Sequence, residues 1–109
     1  MNPRIVNAFF ATHGIIAPQP ELRFSPRRWR FDYAWTIMPD GRIVMLAIEL
    51  QGGLWTGGRH TRAAALLKEY EKLSEAAARG WRIIFRTPQN FLTAETASLV
   101  RRALGLSSA

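Results

Sequence analysis

Cysteine is absent from this 109-residue chain. Disulfide staples and thiolate metal sites are thereby excluded, and the core must hold itself together. No apolar run reaches the ~20 residues that a helix needs to cross a bilayer. The first residues carry one early arginine, Arg4, but no long apolar stretch ending in a small-residue cleavage site, so no secretory signal is expected. Acidic residues are scarce: 8 Asp and Glu stand against 15 Lys and Arg, a formal net charge of +7. Such a surplus attracts phosphates and other polyanions across a Debye length, though it sets neither fold nor chemistry. The hydrophobic share is 48%, ample for a core. A chain of this size buries on the order of 65% of the surface it exposes when unfolded. One cytoplasmic domain over 1–109, without a membrane partner, is the expectation.

The pattern along the chain predicts its elements. Ile5, Val6, Ala8, Phe9 and Phe10 predict one or two helical turns, before Pro18 and Pro20 break any helix. A short extended piece follows around Leu22–Phe24, interrupted by Pro26. In RRWRFDYAW, Trp29, Phe31, Tyr33 and Trp35 alternate with Arg30, Asp32 and Ala34, which predicts a strand with one packed face. Pro39-Asp40-Gly41 signals a turn through a fixed φ at proline and a free one at glycine. Ile43 to Leu50 is nearly all apolar, as in a strand covered on both faces. Residues 52–61, GGLWTGGRHT, hold four glycines and predict no regular element.

A helix is predicted over 62–79. Ala63, Leu66, Leu67, Tyr70, Leu73 and Ala77 form its apolar side, opposite Lys68, Glu69, Glu71, Lys72 and Glu75. Thr61 suits its N-cap and Gly80 the position just past its end. Trp81 to Thr87 reads as a strand stopped by Pro88, and Thr93 to Leu104 as a last helix. Strand–helix–strand at this spacing predicts a crossover that sets Trp81–Thr87 parallel to Ile43–Leu50. The fold class expected is α/β, a mixed β-sheet flanked by helices in a single domain.

Two acids sit in unusual places. Asp32 interrupts the aromatic strand and Glu49 ends the most hydrophobic stretch. A carboxylate there costs several kcal/mol unless it is paired or coordinated. A two-residue Asp40-Gly41 turn sets the two acids opposite each other, with Cβ atoms roughly 5 Å apart, and a four-residue loop keeps that register. A three-residue Pro-Asp-Gly loop instead pairs Asp32 with Ile48 and splits the acids between faces, unless a bulge compensates. Gln51 would share the face of Glu49. Like charges at that distance share a proton or bind a divalent cation, and hard oxygen ligands suit Mg²⁺ or Mn²⁺. The alternative is an internal ion pair with Arg30, Arg82 or Arg86.

Asp32, a hairpin and then Glu49-x-Gln51 together resemble the PD-(D/E)XK nuclease superfamily. Within it RRWRFDYAW, LAIELQGG, GGRHT and EKLSEAAARGWRIIFRTP are similar to small phage-type VRR-NUC-like endonuclease domains. The resemblance covers about residues 21–88 and implies a restriction-endonuclease-like core over about 21–104. It implies a Mg²⁺- or Mn²⁺-dependent DNA endonuclease acting on duplex or branched DNA, with a homodimer as many nucleases of this type form. Asp32 and Glu49 would hold the metal with the carbonyl of Leu50, and Glu21 lies where such folds often carry an extra acid. The superfamily's usual lysine, two residues after the second acid, is replaced here by Gln51. Glutamine positions water but supplies no charge, and Lys72 on the following helix is the candidate replacement. Its alternative is a solvated lysine beside Glu69 or Glu75. Without that lysine the resemblance implies a nuclease-fold protein that binds nucleic acid or assembles without cutting.

His60, just before the helix, suits a general base, a phosphate contact or an ordinary loop histidine. Arg27, Arg28 and Arg30, with Arg59 and Arg62 beyond the Gly-rich loop, can frame the site and grip backbone phosphates. Trp55 in that loop either stacks on a base or packs the loop down.

Overall fold

The computed structural model describes the backbone of residues 1–51 and 59–107, and the side chains of all of these except 59–62. The element order is α1 (Pro3–Thr12), β1 (Gln19–Arg23), β2 (Arg30–Ile37), β3 (Ile43–Leu50), α2 (Arg59–Ala78), β4 (Arg82–Arg86) and α3 (Ala94–Ala103). The strands form one sheet in the order β1-β2-β3-β4. The first three run antiparallel to their neighbours, and β4 joins β3 in parallel, with Leu46 opposite Arg82 and Leu50 opposite Arg86. This is the mixed α/β sheet that the pattern predicts. Helices α1 and α3 cover one face, where Val6, Phe10, Trp35, Leu46, Phe91 and Val100 share a core. On the other face α2 packs through Ala76 onto Phe31, Ala34 and Ala47.

Several elements depart from the pattern, each for a local reason. Helix α1 runs for 10 residues rather than one or two turns, because Asn2 caps it and Pro3 opens it. The Asn2 side chain accepts from the Arg4 amide at 2.8 Å, and Val6 and Phe10, four apart, are both fully buried. Helix α2 begins at Arg59, so Thr61 lies within it rather than capping it. Its end is as expected: Gly80 takes φ +88 while its amide donates to Ala77 and that of Trp81 donates to Ala76. These paired bonds satisfy the last carbonyls and need a residue that tolerates the left-handed conformation.

The side of α2 that meets the sheet also differs from the apolar stripe. Leu67 and Tyr70 are 68% and 56% exposed, whereas Lys72 is turned inward and Ala76 is fully buried. A helix normally buries its apolar side. Here the Glu49 carboxylate beneath α2 draws the lysine in, and alanines at 47 and 76 leave no room for large side chains.

The hairpin decides where the acids meet. The Met38 amide donates to Arg42 and the Gly41 amide to Met38, so the loop is the three-residue Pro39-Asp40-Gly41 form with Gly41 at φ +90. That loop alone would put Asp32 opposite Ile48. The register then shifts between Trp35 and Ile37, where Thr36 stands opposite both Val44 and Met45. The extra residue is a bulge, and Met45 takes φ +43 to make it. Beyond it Trp35 pairs with Leu46 and Tyr33 with Ile48, which returns Asp32 to the level of Glu49.

Candidate functional site

The β2–β3 ladder ends at Tyr33–Ile48, and the two acids take over where it stops. The Glu49 Oε1 accepts the Asp32 amide at 3.3 Å, and the Asp32 Oδ2 accepts the Leu50 amide at 2.8 Å. Side-chain oxygens thus stand where backbone carbonyls would continue the ladder. The substitution explains how two carboxylates tolerate a largely buried place: each accepts from an amide that would otherwise lose its partner. It also explains the aromatic strand. Tyr33 and Trp35 belong to the α1–α3 core, but Phe31, on the far side of Asp32, joins the α2 cluster. Trp29 lies before the strand and stacks near Phe24 at 6.4 Å. The single packed face expected of these four aromatics is therefore divided at Asp32.

Lys72 completes the constellation. Its Nζ donates to Glu49 Oε2 at 2.9 Å, with side-chain exposures of only 12% and 7%. The same ammonium sits 5.8 Å from the centre of the Phe31 ring, within cation–π range. Burial pushes the Glu49 carboxyl up to about 7 from its ordinary value of 4.5. Lys72 pulls it back down, while Asp32 and Glu69 push it up. Glu69, three residues before Lys72, therefore faces the same site. It is half-buried, whereas the pattern predicts only a solvated partner for the lysine. Its helical spacing from Lys72 was the available signal.

The cations expected to neutralise the acids are occupied elsewhere. Arg82 donates to the Val44 carbonyl at 3.1 Å. Arg86 donates to Thr96 at 2.7 Å and to the Asn90 carbonyl at 3.2 Å, with Glu95 at 3.6 Å. Arg30 is exposed, and the internal partner of Glu49 is Lys72. Gln51 is half-buried and extends the β3–β4 ladder, its amide donating to Arg86 at 2.8 Å. Leu50 is held beside Asp32 through its own amide.

Glu21 lies within β1, across from Asp32 between the Pro20–Tyr33 and Leu22–Phe31 pairs. Its φ of +52 is left-handed. Both Glu21 and Asp32 line a cavity of about 420 Å³, together with Asn7, Pro18, Pro20 and Tyr33. Burial first, and then the charges of Asp32 and Glu21, raise the Tyr33 phenol above its ordinary 10.0, so it remains a donor at neutral pH. Among the described residues no three His, Asp or Glu side chains gather into one metal-ligating group.

Arg27, Arg28 and Arg30 are all exposed near the start of β2. Arg27 lies over the Trp29 ring at 4.1 Å and pairs with Glu71 of α2 at 2.6 Å, which ties this basic segment to the helix carrying Lys72. Trp55 and the side chains of Arg59, His60 and Arg62 lie outside the described residues. No described helix is long and apolar enough to cross a membrane. Comparison with protein-family models, with curated proteins and with solved structures found no match to this chain.

Proposed function

We propose that this chain is a Mg²⁺- or Mn²⁺-dependent endodeoxyribonuclease with a restriction-endonuclease-like core. The observation that carries the proposal is Lys72, delivered by α2 to Glu49 beside Asp32. Aspartate, glutamate and lysine thus meet at one place although the strand carries Gln51 where the superfamily usually has its lysine.

The donor chemistry fits a hard divalent cation. Asp32 and Glu49 offer carboxylate oxygens from adjacent strands, and water, the Leu50 carbonyl and a substrate phosphate can complete such a shell. When bound, the cation would polarise the scissile phosphate and lower the pKa of the attacking water. The chain's own residues supply the rest. Lys72 brings positive charge to a water-poor position, where it stabilises the phosphate's developing negative charge. Gln51, just past the end of β3, would orient the water. The water oxygen bonds to phosphorus as the bond to the leaving sugar oxygen breaks, and the leaving oxygen takes up a proton. Arg27, Arg28 and Arg30 hold the DNA backbone, a contact that weakens with salt.

Cleavage of labelled duplex, branched and single-stranded DNA in Mn²⁺ tests the proposal, with Asp32→Ala and Glu49→Ala alongside. Metal-dependent cleavage lost in both folded variants is the expected result. One observation favours a second reading: both carboxylates already have hydrogen-bond partners, and Glu49 is neutralised by Lys72. On that reading the same fold binds nucleic acid without cutting it, and a folded wild type would show salt-sensitive DNA binding with no cleavage.

A further inference from the structure

We propose that the cavity beside Asp32 is a nucleobase pocket, so that the DNA cut at this site carries an unpaired nucleotide next to the scissile phosphate. The substrate half of this inference rests on the nuclease reading; the ligand half does not.

The cavity, about 420 Å³, falls in the range of small-ligand pockets, roughly 300–1,000 Å³. It shares Asp32 with the candidate catalytic site, so whatever fills it is adjacent to the phosphate held there. Its chemistry suits a base edge. Asp32 and Leu50 belong to the cation site of the nuclease reading, whereas the Glu21 carboxylate on the same wall is not used there. Its oxygens accept hydrogen bonds from the N–H groups on a base edge. Pro18 and Pro20 supply rigid apolar surface for a flat ring, and the Asn7 amide both donates and accepts. Tyr33 is fixed by stacking on Phe91 at 5.0 Å.

Glu21 stands on the pocket wall in an unusual backbone conformation. A non-glycine residue in the left-handed region costs on the order of 1–3 kcal/mol and persists only where its surroundings impose it. Here it falls between the flanking pairs Pro20–Tyr33 and Leu22–Phe31, directly across from Asp32. A base within continuous duplex has its Watson–Crick edge occupied and its faces stacked. An unpaired base is extruded at least cost, so the pocket selects bulged, branched or single-stranded DNA. Guanine presents two adjacent N–H donors that fit one carboxylate side by side, whereas thymine presents a single N–H.

The test is an NMR titration of the metal-free full chain with 2′-deoxyguanosine, thymidine and 2′-deoxyinosine, which lacks the second donor. A parallel titration with Mg²⁺ alone follows Asp32 and Glu49. The expected result is saturable shifts at the Asn7 side-chain amide and at Tyr33. Deoxyguanosine should bind at least about fivefold more tightly than thymidine or deoxyinosine, and Glu21→Gln should remove that preference. Comparing deoxyguanosine with deoxyinosine keeps the test decisive even if Glu21→Gln does not fold. Absence of shifts at Asn7 and Tyr33, or equal binding of all three nucleosides, overturns the pocket. If Mg²⁺ still shifts Asp32 and Glu49 in that case, the nuclease reading stands. Nucleoside binding without any Mg²⁺ response supports the pocket and counts against the nuclease.

Discussion

On the α1–α3 side of the sheet, Phe10 meets Trp35 and Phe91 at 5.1 and 6.0 Å between ring centres, over a floor of Leu46 and Ile48. The α2 side buries Phe31 among three alanines and, beside them, the Glu49–Lys72 pair. One sheet thus carries two kinds of interior. The first excludes water mainly with large hydrocarbon groups, and its nearly buried Arg86 is tied to the neutral Thr96 at 2.7 Å. The second uses small side chains so that α2 approaches closely and its lysine reaches a carboxylate on the sheet. Large apolar side chains are concentrated on one face, and a buried Glu49–Lys72 ion pair is assembled on the other.

The largest expected difference is in core truncation. Phe10→Ala, on the hydrocarbon side, should cost about 3–5 kcal/mol in urea unfolding. A loss below about 1 kcal/mol would break the comparison. Next is pH, which the two faces should feel unequally. The Glu49 carboxyl lies at about 7 in the folded chain against 4.5 ordinarily. The folded state therefore holds this proton more tightly, and the resulting stability is complete below pH 4.5 and lost as pH rises through 7. The loss is on the order of 3 kcal/mol. Urea midpoints measured from pH 4 to 8 should show that decline in the wild type and a flatter profile in Glu49→Gln.

A smaller effect probes the close approach of α2. Ala47→Leu should cost about 1–3 kcal/mol by overpacking and should slow Mn²⁺-dependent cleavage by pushing Lys72 away from Glu49. Unchanged stability would mean that the small residues do not set the helix position. The smallest effect belongs to the outer side of α2, where Leu67→Ala should stay within about 0.5 kcal/mol of wild type.

These contrasts also separate what the sequence discloses from what it conceals. The mixed sheet, the parallel β4 and the Gly80 helix end follow from local pattern, whereas that pattern leaves the opposition of Asp32 and Glu49 open between loop lengths. That opposition is reached through the three-residue loop and a compensating bulge. Asp40-Gly41 permits more than one loop length, and nothing in IVMLAIEL marks Met45 as the bulged residue that restores the register. The inward side of α2 was hidden because periodicity counts apolar residues. Leu67 and Tyr70 score for burial, whereas Lys72 goes inward for a partner that lies 23 positions away in sequence. The division of the aromatic strand at Asp32 was hidden for a related reason: side-chain oxygens replacing backbone carbonyls leave no trace in a period-two pattern. Lys72, singled out in the sequence only through the resemblance, is brought by the fold to Glu49.

The most direct test moves the lysine. Cleavage rates in Mn²⁺ would be compared for the wild type, Lys72→Met and the double variant Lys72→Met with Gln51→Lys. Removing the ammonium should lower the rate by roughly 10²–10⁴-fold. Restoring a lysine on the strand should recover activity to within about tenfold, an energy near 1.4 kcal/mol. A folded Lys72→Met variant that cuts as fast as the wild type would contradict the account.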